Sequence, residues 1–255
     1  MILHYAQNSR AVRVAWLLEE LELPYTTVKY TLGDKEMRQP EYLRINPLGR
    51  VPVLEDRGFS ITESGAIIQY ILSQYSQNKF SPDINHKDFP SYLQWFHFAE
   101  GMIMPQMNII VVETILLPAD RRNEVNVKRA TKLLDRMLET VENHMSGEQY
   151  LAGELSAADM MTGHAVIMSE KLGIDFTEKP NLQKYTKRQS KKNIEYHYDL
   201  GNSFYDKWLD SSMTYSSAYF EKENQNLFDA QLNKYKKIAE SLSLNENSKA
   251  LEIGC

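Results

Sequence analysis

The chain has 255 residues, 42% of them hydrophobic and 25% charged, and a formal net charge of −5. These values suit a soluble globular protein of two or three domains, and the acidic balance argues against a general nucleic-acid binder. Its one cysteine, Cys255, excludes an internal disulfide framework and a cysteine-based metal cluster. No apolar run approaches the roughly eighteen residues of a membrane span, and the N-terminus lacks a signal peptide's basic-then-apolar order. The expected compartment is therefore the cytosol.

Met1 to Ala6 reads as a first strand, with Leu3 and Tyr5 on one face and Ile2, His4 and Ala6 on the other. Asn8-Ser9 follows, then a helix with Val12, Val14, Leu17, Leu18 and Leu21 on its apolar stripe, for which Ser9 is a suitable N-cap. Pro24 to Tyr30 is a second strand, and Gly33 to Arg44 a charged loop with a short helix. Asn46-Pro47-Leu48-Gly49 is a turn. Val51 to Leu54 and Phe59 to Thr62 are short strands joined through Asp56-Arg57-Gly58 as a hairpin. Ser64 then caps a helix carrying Ile67, Ile68, Ile71 and Leu72 at helical spacing.

Two dipeptides here point to a ligand. Pro52 opens a strand, where its missing N–H is tolerated only at an edge or bend, and a cis Val51-Pro52 bond would turn Val51's N–H and C=O outward. Glu63-Ser64 places a carboxylate and a hydroxyl at a helix N-terminus, where unpaired N–H groups and the dipole attract an anion. Together they suit a peptide-like ligand gripped by its amide and its terminal charges.

Residues 77–88 form a polar linker, and the pattern then turns helical. Trp95, Phe96, Phe98, Ala99, Met102 and Ile103 belong to one long helix ending at Pro105, and Asn126 to Met145 to a second, closed by Gly147. Leu155-Ser156-Ala157-Ala158-Asp159 is a capping box with Asp in place of Glu, a structural device. Met102, Met104 and Met107 form a Met-rich face that suits either the core or a promiscuous apolar surface. His97, His144 and His164 show no ligand spacing and receive no role.

The series NPLGRVPVLE and TESGAIIQYIL, with HYAQNSRAVRVAWLLEELELPY upstream and YLAGELSAADM downstream, resembles the glutathione S-transferases over residues 1–188. The resemblance implies a thioredoxin-like domain over 1–76 and an all-helical domain over 89–188. Glutathione would be held by the Val51-Pro52 pair and by Glu63 and Ser64. Ser9 would donate to the glutathione thiolate, lowering a thiol pKa that is roughly 8.5 when free. Other classes of the family use a Tyr near the end of the first strand, so Tyr5, and after it Asn8, are the alternatives. Arg38 and Arg50 are the basic candidates for the glycyl carboxylate. The hydrophobic electrophile would lie against Met102, Met104 and Met107, and the family's dimeric habit implies a homodimer.

Beyond a basic junction at 189–192, within a run from Lys179 to Lys192 that reads as a solvated linker, the character changes. The order HYDLGN, MTYSSAYF, a helix from Leu227 to Leu242 and a strand in ALEIGC resembles the start of cyclopropane fatty-acid synthases over 193–255. That resemblance implies an incomplete Rossmann-like segment. S-adenosylmethionine would be met in a full-length relative by the positions of Tyr215, Ser216 and Gly254. Because the sequence stops inside the Gly-rich loop, the expectation is a segment inert as a methyltransferase.

Overall fold

Four short strands organise the first part of the chain: β1 (Ile2–Ala6), β2 (Thr26–Tyr30), β3 (Val53–Asp56) and β4 (Phe59–Thr62), in the order β2-β1-β3-β4. β2 is parallel to β1 because α1 (Ala11–Glu20) makes the crossover, whereas β3 and β4 are antiparallel neighbours. The β3–β4 loop is two residues, Arg57 and Gly58, both at positive φ, the conformation that matches the twist of the flanking strands. The computed structural model describes residues 1–198, 219–222 and 225–241. It divides into two units, Met1–Asn193 and Ile194–Cys255.

Both faces of the sheet in the first unit are covered. On one, α1 and α3 (Ser64–Tyr75) bury Leu3, Val14, Leu17, Leu18, Leu54, Ile67, Ile68 and Ile71. On the other, a short 3-10 turn (Glu36–Arg38) and α2 (Pro40–Leu43) bring Met37 and Tyr42 onto Val53. His4 therefore lies buried like its neighbour Leu3, edge-on to the Tyr42 ring at 5.6 Å and stacked on Tyr30 at 5.9 Å.

The helical part differs from its sequence pattern at Pro105. α4 (Phe89–Phe98), a π turn (Ala99–Ile103), α5 (Met104–Val111) and a second π turn (Val112–Leu116) run on without a break. Pro105 sits in the first turn of α5, where its missing N–H coincides with the change from π to α bonding. α6 (Glu124–His144) is capped by Asn123, whose side chain accepts from the N–H groups of Val125 at 2.9 Å and Asn126 at 3.2 Å.

The Ser156–Asp159 device reaches further than a capping box. Asp159 accepts from the Ser156 N–H at 3.0 Å and from its hydroxyl at 3.3 Å. Its other oxygen takes the Leu151 N–H at 3.0 Å and the Tyr185 hydroxyl at 2.9 Å. The carboxyl thus gathers the 151 loop, the π turn Asp159–Gly163 leading to α7 (His164–Lys171), and α8 (Pro180–Tyr198). The basic run from Lys179 is accordingly not a solvated linker throughout: Leu182, Tyr185, Thr186 and Gln189 are buried along α8. In the second unit, α9 (Leu227–Ser241) matches the expected helix, with Ala230 buried and its carbonyl accepting from the Tyr219 N–H at 3.0 Å. The expected strand at 250–253 lies outside the described residues.

The packing of α1 departs most from its periodicity. Val12 and Leu21 are only partly buried, while Arg13 between them is fully enclosed. Its guanidinium donates to His164 Nδ1 at 3.1 Å, to Ser64 Oγ at 3.3 Å and to the Glu100 carboxylate on the first π turn. Glu100 also takes Arg10 Nε on both oxygens at 2.9 Å. His164, given no role from the sequence, is thus a partner of a buried cation. Burial, and then the Arg13 charge, hold its pKa well below the ordinary value of 6.5.

Two predictions follow from these buried groups. Asp159→Ala leaves the Leu151 N–H, the Ser156 N–H and the Tyr185 hydroxyl without their acceptor. At about 1–3 kcal/mol per orphaned buried donor, partly relieved by relaxation, unfolding in urea should show a loss of about 3–5 kcal/mol. His164 stays neutral in the fold, so below pH 6.5 the unfolded chain takes up a proton that the folded chain refuses. Its contribution is fully present above pH 6.5 and declines as pH falls. The stability difference between wild type and His164→Asn should therefore slope by up to about 1.4 kcal/mol per pH unit between pH 6 and 5. Parallel pH profiles for the two proteins would remove His164 from this account.

Candidate functional site

The strand register brings the sequence-predicted residues to one end of the sheet. His4 pairs with Val53, and Val53 with Thr62, across antiparallel neighbours. The chain leaving β1 toward Ser9, the chain entering β3 through Arg50, Val51 and Pro52, and the chain leaving β4 into Glu63 and Ser64 therefore all emerge at the same edge. Residues far apart in sequence meet here because two strands end and one begins at this edge.

Ser9 lies in the turn between β1 and α1. Its hydroxyl donates to the Ala6 carbonyl at 2.6 Å and accepts from the Ala11 N–H at 3.1 Å, which satisfies one donor of the helix start. Arg10, already helical in its dihedrals, occupies the boundary position. Tyr5 is half-buried against the main core, and burial pushes its hydroxyl pKa up. Asn8 is exposed, adopts a left-handed φ of 58° and accepts from Lys171 Nζ at 3.5 Å.

The Val51–Pro52 peptide bond is cis, and β3 begins only at Val53, so Pro52 precedes the strand instead of opening it. Ser64 is the first residue of α3 and not its cap. The boundary is Glu63, exposed, at φ 69° and with no capping bond from its side chain. Ser64 is buried and accepts from Arg13, which leaves its own proton for another acceptor. Sequence reasoning missed Arg13 and Glu100. The available signal was an arginine at i−4 from Leu17, on the side of α1 that had to be apolar. Burial raises the Glu100 carboxyl, but Arg13 and Arg10 outweigh it and its net pKa lies below the ordinary value of 4.5.

Arg38 and Arg50 are both exposed. The three methionines do not form one face. Met102 is exposed, while Met104 and Met107 are packed in the core, where Met107 sulfur accepts from the Ser169 hydroxyl at 3.2 Å. Met104 and Met107, three residues apart, share a side of α5, whereas Met102 lies within the π turn two residues before Met104, a spacing that places it on another side of the helix. A recess of about 460 Å³ between α5 and α6 is lined by Ile109, Val112, Ala130 and Leu133 among others, and includes none of the three. Tyr215, Ser216 and Gly254 lie outside the described residues. Among the described residues no His, Cys, Asp or Glu cluster has the arrangement of a metal site.

Residues 2–73 match the glutathione S-transferase N-terminal domain and residues 103–193 the glutathione S-transferase C-terminal domain. Residues 185–255 match mycolic acid cyclopropane synthetase. Glutathione S-transferase F10 of Arabidopsis thaliana is 33% identical over 165 residues, covering 61% of this chain and 73% of that protein. The structure of the glutathione transferase URE2P8 from Phanerochaete chrysosporium with oxidized glutathione superimposes with a TM-score of 0.69 at 26% identity, covering 80% of this chain and 96% of that one. A probable fatty acid methyltransferase of Pseudomonas putida is 35% identical over 112 residues, but the match spans only 28% of that protein. By its two matched domains, its sheet and its helical second half, the chain belongs to the glutathione S-transferase family, and carries after it a segment similar to cyclopropane synthases.

Proposed function

We propose that the chain is a glutathione S-transferase that adds the glutathione thiolate to small hydrophobic electrophiles. The observation that carries this reading is the gathering of Ser9, Val51-Pro52 and Ser64 at one end of the sheet. Glutathione is a tripeptide with a thiol, a backbone and charges at both ends, and these residues offer a partner for each part. The Val51 backbone pairs with the cysteinyl residue. Glu63 and the Ser64 hydroxyl hold the γ-glutamyl end, and Arg50 or Arg38 meets the glycyl carboxylate.

Ser9 supplies a hydrogen bond to the sulfur. Its proton rests on the Ala6 carbonyl, so binding of a thiolate requires the hydroxyl to rotate from that acceptor to the charged one. A hydrogen bond to an ion is the stronger of the two, which favours the exchange. The thiolate is the nucleophile: the thiol's proton leaves to solvent, and sulfur then bonds to the electrophilic carbon. That carbon either loses its leaving group to solvent as an anion or, in an addition, passes the bonding pair to a neighbouring atom that takes a proton from water.

A second reading is favoured by the match over 185–255. Here the transferase part is a non-catalytic, glutathione-shaped binding module that docks lipid products or partners for an appended lipid-modifying methyltransferase. Glutathione binding without turnover of any model electrophile would select it. The family habit also leads us to propose a homodimer, working in the cytosol, in which the helix Ser64 to Leu72 and the helix carrying Trp95 to Met104, where Met102 is exposed, meet across a two-fold axis. Among the described residues no helix is long and apolar enough to cross a membrane. A monomer at micromolar concentration in sedimentation would count against the dimer.

Ser9→Ala should leave glutathione affinity nearly unchanged and raise the bound thiol's pKa by about 1–2 units, the equivalent of a lost hydrogen bond to a charged group. Turnover with a model electrophile at pH 7 should fall about 10-fold or more, and the pH–rate profile should move upward. Equal activity at neutral pH would exclude Ser9 and turn attention to Tyr5 or Asn8. Ser64→Ala should weaken glutathione by roughly 1.5–3 kcal/mol in calorimetry, with little effect on the thiol's pKa.

A further inference from the structure

The loop that carries Val51 is fixed from inside the protein. The carbonyl of Arg50 accepts the Tyr42 hydroxyl at 2.7 Å and the Asn46 side-chain amide at 2.7 Å. Tyr42 and Asn46 are 3% and 4% exposed, so both bonds point inward. A carbonyl oxygen has two lone pairs, and here both are occupied. The donors are themselves held. The Tyr42 ring lies edge-on to Tyr30 at 5.1 Å and to His4 at 5.6 Å. Asn46 accepts the Leu48 N–H on its other amide atom at 3.0 Å, so its side chain cannot turn without losing a bond at each end. Gly49, at φ 60°, presses the loop against the 3-10 turn so closely that a Cβ would lie 2.7 Å from the Met37 carbonyl.

The peptide unit is planar, and in the trans form the carbonyl and the following N–H point in opposite directions. Arg50–Val51 is trans. A carbonyl pinned toward the core therefore sends the Val51 N–H outward, at the edge where Ser9 and Ser64 gather. Neither the N–H nor the C=O of Val51 has a hydrogen-bond partner among the described residues.

We infer that Tyr42 and Asn46 are positioning residues that aim the Val51 N–H at the backbone of a peptide ligand, acting through the Arg50 carbonyl without touching the ligand. The inference rests on the glutathione reading and deepens it. Selectivity for a peptide amide over a simple thiol arises from a peptide plane oriented before the ligand arrives, so little ordering is left to occur on binding. The phenol is suited to the task because it stays protonated: burial, and then Tyr30, raise its pKa far above neutrality.

The test compares wild type with Tyr42→Phe, which keeps the ring in its packing and removes one donor. In the ligand-free proteins, the ¹⁵N order parameter of the Val51 amide should be lower in Tyr42→Phe. By calorimetry, glutathione affinity should fall about 3- to 10-fold, the effect of a single neutral hydrogen bond. A glutathione analogue with its cysteinyl carbonyl reduced to methylene should bind wild type and Tyr42→Phe equally, since it has no acceptor for the Val51 N–H. Tyr30→Phe removes a neighbouring hydroxyl that bonds His4 instead of the loop, at 3.1 Å, and should leave the order parameter and the affinity unchanged. An unchanged Val51 order parameter in Tyr42→Phe would overturn the inference, and so would an affinity loss that persists on the reduced analogue. Should wild type bind no glutathione, the functional reading fails, while the order parameter still decides whether Tyr42 fixes the amide.

Discussion

The structure of the first unit depends on a buried cation. Arg13 has no access to water, so its charge must be met by protein atoms, and the atoms that meet it come from elements far apart in the chain: Glu100 from the first π turn, Ser64 from the start of α3 and His164 from α7. An ion pair of this kind, with the cation enclosed and the Glu100 side chain 34% exposed, is a poor source of net stability, because desolvation of the cation offsets most of the attraction. Its effect is on geometry. Four elements must be in register for the charge to be satisfied, and any arrangement that separates them leaves a guanidinium unpaired in an apolar interior.

That constraint bears directly on the candidate site. Ser64 is held from below by the same guanidinium that is anchored to the helical half, so the hydroxyl proposed for the γ-glutamyl end takes its position from the packing of both halves. Val51 is fixed separately, through the Arg50 carbonyl, and Ser9 by its bonds to Ala6 and Ala11. The three groups proposed to face the ligand thus have three independent supports. A site built on loops acquires the precision of a site built on rigid elements because each loop is tied down within a few residues of the working atom.

Much of this was legible in the sequence, and what was not has identifiable causes. Gly58 in its two-residue loop, the alternation in β1 and the Asn46 to Gly49 turn placed the strands, and the Pro52 and Glu63-Ser64 pairs marked the edge for which a ligand is proposed, because local turn chemistry is written in single residues. Periodicity failed where one side chain broke the apolar rule. Arg13 sits on a stripe that hydropathy assigns to the core, and a sequence cannot display the distant carboxylate that makes its burial possible. It failed again around Pro105, where a π turn changes the helical phase. The methionine face also falls apart, because residues two apart do not share a side of a helix: Met102 is in solvent, and Met104 and Met107 are inside. The basic run after Lys179 looked like a linker because its charges outnumber its few buried contacts, although Tyr185 alone commits that stretch to the fold through Asp159.

The π turn at Ala99–Ile103 has a consequence for how this helix can vary. A π turn is an α-helix with one residue inserted, and each residue advances the helix by about 100°. Deleting one residue there, at the open position of Gly101 for instance, would restore regular α bonding and leave the backbone content. Because the wider π turn takes up the extra residue locally, the shortened helix would keep Glu100 and the aromatic face of Trp95 and Phe96 close to their present orientation relative to Met107 and Ile110. The carboxylate would stay with Arg13. A deletion in the α-helical turns on either side would instead turn one half of the helix against the other by about 100° and separate both. Tolerance to a change of length thus resides in the π turn, while the turns flanking it can absorb substitutions only.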